Sequence, residues 1–165
     1  RVAMGEPVNL FPDHGPDAPA GLAGRALAAI PATLVRDMLL GGFEGQETKA
    51  KGVRLDGARI TGALDLSSLT SQFPLHLTRC VIEERIDMDG YRGRSVVLDG
   101  SVLRKGMDAL RAHIDGTLSM RLLERDGAKW RFERHGPIDL KDARVEGSTS
   151  LRAACLWPRR RKRFI

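Results

Sequence analysis

Alternating apolar pairs return about every 22 positions along most of this 165-residue chain. One series runs Val53/Leu55, Leu75/Leu77, Val96/Leu98, Leu118/Met120 and Ile138/Leu140. A second, interleaved with it, runs Leu64/Leu66, Ile86/Met88, Met107/Ala109, Trp130/Phe132 and Thr149/Leu151. Alternation within a pair is the two-residue period of a strand, and self-similarity at a fixed spacing of this length marks a stacked repeat. One such repeat cannot bury its own apolar face. The chain is therefore predicted to wind into a β-solenoid over residues 53–158, with the fold class mainly β.

Composition agrees with narrow coils. Aromatic residues are scarce, at 5%, and glycine is frequent, at 18 residues, which suits coils filled by aliphatic side chains better than a nucleus built on large rings. The net charge of +6 comes from 27 basic and 21 acidic residues. Five of the basic ones are Arg159, Arg160, Arg161, Lys162 and Arg163, and setting them aside leaves 22 against 21. The body is close to neutral, so overall basicity is no sign of a nucleic-acid-binding face on the solenoid. Two cysteines, Cys80 and Cys155, are too few for a disulfide framework and favour a reducing, cytoplasmic setting. No apolar run reaches the roughly 18 residues that span a bilayer, and no secretory pattern opens the chain.

The organisation outside the repeat follows from its punctuation. Residues 1–19 carry Pro7, Pro12, Pro16 and Pro19 without a period and read as an irregular segment. Residues 20–42 read as a helical cap: Pro31 suits a first helical turn, Leu34, Val35, Met38 and Leu39 share a face, and Gly41-Gly42 supplies the stop. A solenoid needs such a cap because its first coil ends in unpaired strand groups and bare core residues. Residues 43–52 are the connector and 159–165 a basic tail. Within the solenoid, Ile60, Ile82, Leu103 and Val145 follow the first series at a fixed distance, with the small residues Ala58, Cys80, Ser101 and Ala143 ahead of them at tight corners. Leu123 and Arg125 break this rule, which predicts a distorted coil or a protruding loop within residues 121–127.

The stretch Gly57-Ala58-Arg59-Ile60-Thr61-Gly62-Ala63-Leu64-Asp65-Leu66, echoed by Asp142-Ala143-Arg144-Val145-Glu146-Gly147, resembles the degenerate pentapeptide-repeat-like coils of uncharacterised bacterial proteins. In those proteins too a short helix precedes the first coil. The resemblance implies a right-handed, quadrilateral-like parallel β-helix of about five coils with an N-terminal helical cap. Five-residue spacing holds from Leu55 to Ile60 but not from Ile60 to Leu64. Some of those relatives carry a label of membrane-associated oxidoreductase. No dinucleotide fingerprint or phosphate loop stands in this chain to support such chemistry, and no cofactor is expected. The resemblance also brings in nucleic-acid mimicry, to which a nearly neutral body with a basic tail is poorly suited.

Few residues offer chemistry. Asp65, Asp87 and Asp108 lie between inward apolar positions, so they are expected to form an outward acidic column with about 4.8 Å between rungs. Adjacent members repel by only about 0.9 kcal/mol in water-like surroundings, which neighbours such as Arg85 offset. The column offers carboxylate oxygens to a metal such as calcium, or an acid/base pair to an enzyme; a solvated face is the plainer reading. His76 and Cys80 stand four apart but are expected to diverge, and Cys80 is accounted for as a corner residue. Arg159, Arg160, Arg161, Lys162 and Arg163 suit acidic lipid headgroups or nucleic-acid phosphates, with peripheral membrane contact as the variant of a cytoplasmic location. With no converging catalytic set, the expectation leans away from an enzyme. It is a non-catalytic scaffold or protein-interaction module that binds another protein or a second copy through an open solenoid end.

Overall fold

In the computed structural model, which describes residues 8–9, 27–41 and 52–151, Val53 and Leu55 point into the molecule while Arg54 between them points out. The same alternation repeats one winding later, and successive windings pair in parallel. Val53 lies beside Leu75, Leu75 beside Val96, Val96 beside Leu118 and Leu118 beside Thr149. Backbone hydrogen bonds join each winding to the next: on the first face the amides of Leu75 and Val96 donate to the carbonyls of Ser95 and Thr117, each at 2.8 Å. Four stacks of this kind make four faces. The first holds Val53–Asp56, Leu75–Thr78, Val96–Val97, Leu118–Ser119 and Thr149–Ser150; the second holds Ala58–Thr61, Val81–Ile82, Val102–Leu103 and Glu133–Arg134. Leu64–Asp65, Ile86–Asp87, Met107–Asp108 and Ile138–Asp139 form the third; Arg92–Gly93, His113–Ile114 and Arg144–Val145 form the fourth, to which Thr70 bridges. Four parallel faces per winding make the molecule a mainly β, four-sided parallel β-helix.

Its core is a set of like-on-like columns. Leu55, Leu77, Leu98 and Met120 stack within the first face; Ile60, Ile82 and Leu103 within the second; Leu64, Ile86 and Met107 within the third. All are sealed from solvent in one continuous cluster. A leucine buried in this way contributes about 1.5–3 kcal/mol relative to exposure. The corner between the first two faces is turned by Gly57, Arg79 and Gly100, all in the left-handed region at φ +72, +50 and +66. Glycine adopts this conformation freely. Arg79, which does not, is held by a buried fork-to-fork ion pair with Asp56, its Nε donating to Oδ1 at 2.6 Å.

The windings are 22, 21 and 22 residues apart along the first face, then 31 apart from Leu118 to Thr149. The added length is a β-hairpin, Leu123–Arg125 against Ala128–Trp130, which stands where a distorted coil or a protruding loop was predicted within residues 121–127. Asp126 and Gly127 both have positive φ, +52 and +77, as a two-residue type I′ turn requires. The hairpin lies on the outside of the second face, where Trp130 packs against Leu27, Val81 and Val102. There its ring also covers the guanidinium of Arg79 at 4.7 Å. Gly100 is needed beneath it, because a Cβ there would meet the Trp130 Cβ at 2.9 Å.

The insertion corrects the repeat register. Ile138 pairs with Met107, so Ile138/Leu140 belong to the second series; Thr149 pairs with Leu118, so Thr149/Leu151 belong to the first. Val145 and Ala143 likewise sit on the fourth face beside Ile114 and Ala112, not in the Ile60 and Ala58 columns. Trp130 is part of the hairpin, while Phe132 enters the core.

The N-terminal part needs two corrections. Within residues 1–19, Val8–Asn9 adds a parallel strand beside Leu55–Asp56. Within residues 20–42, Ala28–Pro31 is extended and pairs with Ala58–Thr61, so the helix α1 is confined to Ala32–Leu39 and Pro31 is its N-cap. The second face rewards extension there, since it has an unpaired edge to satisfy. Ala32, Val35 and Leu39 bury one stripe of α1 against the first winding. Gly41, at φ +78, ends the helix as predicted. Ser71 Oγ donates to the Leu39 carbonyl at 2.9 Å, satisfying an acceptor that the helix end leaves open. Nearly all of the predicted connector and the whole basic tail lie outside the described residues.

Candidate functional site

Asp65, Asp87 and Asp108 stand in register on the third face, and Asp139 continues the column. Each carboxylate is engaged locally in the same way, its Oδ1 accepting a hydrogen bond from the amide two residues on, at Ser67 (2.9 Å), Asp89 (3.0 Å), Leu110 (3.2 Å) and Lys141 (3.0 Å). This is an Asx turn, which bends the chain out of the strand. Asp65 also accepts from Ser67 Oγ at 2.6 Å, and these two bonds, together with Arg36, hold its carboxyl below the usual range. Asp108 pairs with Arg85 at 3.0 Å. The carboxylates of the column do not meet at a common point.

His76 and Cys80 diverge. His76 is half-buried on the outside of the first face, where burial and the nearby Arg54 charge lower its pKa. Cys80 turns inward at the corner between the first two faces, and its Sγ donates to the carbonyls of Thr78 at 3.2 Å and Leu55 at 3.6 Å. Burial pushes its thiol up to about 12, so it is a packed hydrophobe and not a nucleophile. Next to His76 runs a shallow groove of about 380 Å³ lined in part by Asp99, Thr117, Arg121 and Ser148. Its polar groups bond one another: Asp99 accepts from Ser119 Oγ at 2.6 Å and from Arg121, and Thr117 meets Ser148 at 3.2 Å. Arg159, Arg160, Arg161, Lys162 and Arg163 lie outside the described residues, as do Cys155 and His14.

A cluster that sequence reasoning missed stands on the fourth face. Strand pairing sets His113 beside Arg144 and Ile114 beside Val145, which brings Asp115 and Glu146 side by side on the outer surface. His113 Nε2 lies 3.0 Å from Glu146 Oε1 and 3.4 Å from Asp115 Oδ1. Among the described residues, this is the one place where three metal-ligating side chains converge. Half of the signal was present as His-x-Asp, two positions on one face of a strand. Glu146 becomes visible only when the ten residues added to that winding are allowed for.

The two ends of the solenoid differ. Helix α1 covers the first winding, where Arg36 reaches Asp65 at 3.3 Å. At the other end Ile138, Leu140, Ala143 and Val145 pack only partly against the core, and Leu151 is 48% exposed. Among the described residues no strand pairs beyond Thr149–Ser150, Glu133–Arg134, Ile138–Asp139 or Arg144–Val145. No described helix is long and apolar enough to cross a membrane. Compared with known proteins, the chain matches no family model, no curated protein and no solved structure.

Proposed function

We propose that this chain is a non-catalytic solenoid scaffold of the pentapeptide-repeat-like type that docks a protein, a second copy of itself included, on its last winding. One observation carries the reading: half-covered aliphatic side chains coincide with strand edges, at Ile138–Asp139 and Arg144–Val145, that no strand among the described residues pairs. An edge of this kind presents free backbone donors and acceptors beside apolar surface, the two things that strand addition uses. The windings support the pentapeptide-like type, since 21 or 22 residues over four faces is a little over five per face. The non-catalytic part is supported by the aspartate column, whose carboxylates are engaged in turns and ion pairs.

The test is sedimentation of the full chain over a wide concentration range, beside Leu140→Lys and Val145→Lys, which place charge at the half-covered edge. The reading expects the parent chain to associate and both variants to remain monomeric while keeping the β spectrum. A parent chain that stays monomeric at the highest concentration, or variants that associate as it does, would overturn self-docking.

A further inference from the structure

We propose that His113, Asp115 and Glu146 form a divalent-cation site of the zinc or manganese class, which clamps the last winding to the one before it. The donor set is one imidazole nitrogen and two carboxylate oxygens, all within 4.8 Å of one another. Three protein ligands of these types, with the remaining positions open to water, make a recurrent arrangement for zinc, and imidazole with carboxylate also suits manganese. Calcium, which takes six to eight oxygens, fits poorly. Backbone pairing holds the residues in place, since the Asp115 amide donates to the Gly93 carbonyl and the Glu146 amide to the Ile114 carbonyl, each at 2.9 Å. Two ligands therefore come from one winding and the third from the next.

Placement gives the cation its role. The ligands span the interval of 31 residues that contains the hairpin, and they join the last described winding, the one least covered by neighbours, to the solenoid body. An ion that binds only when those two windings are paired stabilises the paired state by mass action. The inference stands apart from the docking reading, since the site forms within one chain.

Neighbouring charge tunes the site. Arg92 and Arg144 flank His113 in its own column, one winding to either side, and Arg94 lies one winding before Asp115. None of the three forms an ion pair among the described residues. Their guanidiniums oppose a cation, so affinity is moderate, and they favour an anionic oxygen in the open coordination positions. Removing one of them should strengthen cation binding, the opposite of what the loss of a ligand does.

Calorimetric titration of the full chain with Zn²⁺ and with Mn²⁺, paired with thermal unfolding, tests this. The parent chain should bind one ion and melt higher with it. His113→Ala and Glu146→Gln should each weaken that binding at least tenfold and abolish the metal-dependent rise in melting temperature, while the metal-free melt shifts only slightly with loss of their exposed contact. Arg144→Gln should tighten binding several-fold. Absence of binding by the parent chain, or titrations of His113→Ala and Glu146→Gln that match the parent, overturns the site. The second outcome would assign the ion to donors elsewhere.

Discussion

Leu55 and Leu151 occupy the same inward column, four windings apart, yet Leu55 is 1% exposed and Leu151 is 48% exposed. Leu64 and Ile138 make the same contrast on the third face. The N-terminal member of each pair lies beneath further chain: Val8–Asn9 extends the first face, Ala28–Pro31 the second, and α1 covers the winding. In a solenoid, then, burial is conferred by the next winding and not by residue type. Stability is correspondingly local, a sum of windings and the interfaces between them, and among the described windings the last is the weakest.

Four perturbations sharpen or break that contrast. The largest is at the corner of the capped half. Asp56→Ala leaves the Arg79 guanidinium buried without its carboxylate and should cost about 3–5 kcal/mol in chemical denaturation. At the next-but-one corner of this column, Arg121, which pairs with the buried Asp99, is itself 54% exposed, and Arg121→Ala should cost far less. Similar losses for the two would break the comparison. Next come the columns themselves. Leu77→Ala opens a cavity in a sealed stack and should cost about 2–5 kcal/mol, whereas Leu140→Ala, in a partly covered one, should cost well under half of that. A smaller effect is expected at the cap, where Ser71→Ala removes the bond to the Leu39 carbonyl and should cost about 1 kcal/mol.

The smallest is a pH effect at Asp65. Its folded pKa is depressed, so its contribution is complete above the ordinary carboxylate value and is lost as pH falls through the lower folded value. The Asp65 turn and the Arg36 contact should therefore hold through the ordinary carboxylate range and loosen only below it, and Asp65→Asn should remove that step. The carboxylate is more than half exposed, so solvent screens the effect and the shift in unfolding should be slight.

Much of this architecture was legible from spacing. The Leu55, Ile60 and Leu64 columns repeat in both size and polarity through three windings, and size recurs only where like stacks on like. The fourth face was not legible, because its inward positions change size along the stack, from Leu69 and Tyr91 to Ala112 and Ala143, and the first two are followed by Ser71 and Gly93. The strands Val8–Asn9 and Ala28–Pro31 were hidden for another reason. They are too short to show a period, and they are extended only because distant strands need partners. Asp126-Gly127 was the overlooked clue: read as a hairpin turn, it accounts for the ten extra residues and restores the register. That one omission also concealed the fourth-face cluster, since Glu146 meets Asp115 only in the corrected register.

Native-state hydrogen exchange tests the central claim most directly, because the claim concerns which backbone bonds hold and in what order they fail. The amides of Leu75 and Val96, which donate to Ser95 and Thr117, should exchange only with global unfolding. Those of Ala109, Leu118 and Met120, which donate to Asp139, Ser148 and Ser150 of the last winding, should exchange sooner as that winding peels away. Uniform protection along the columns, or exchange of Leu75 and Val96 at loop rates, would contradict it.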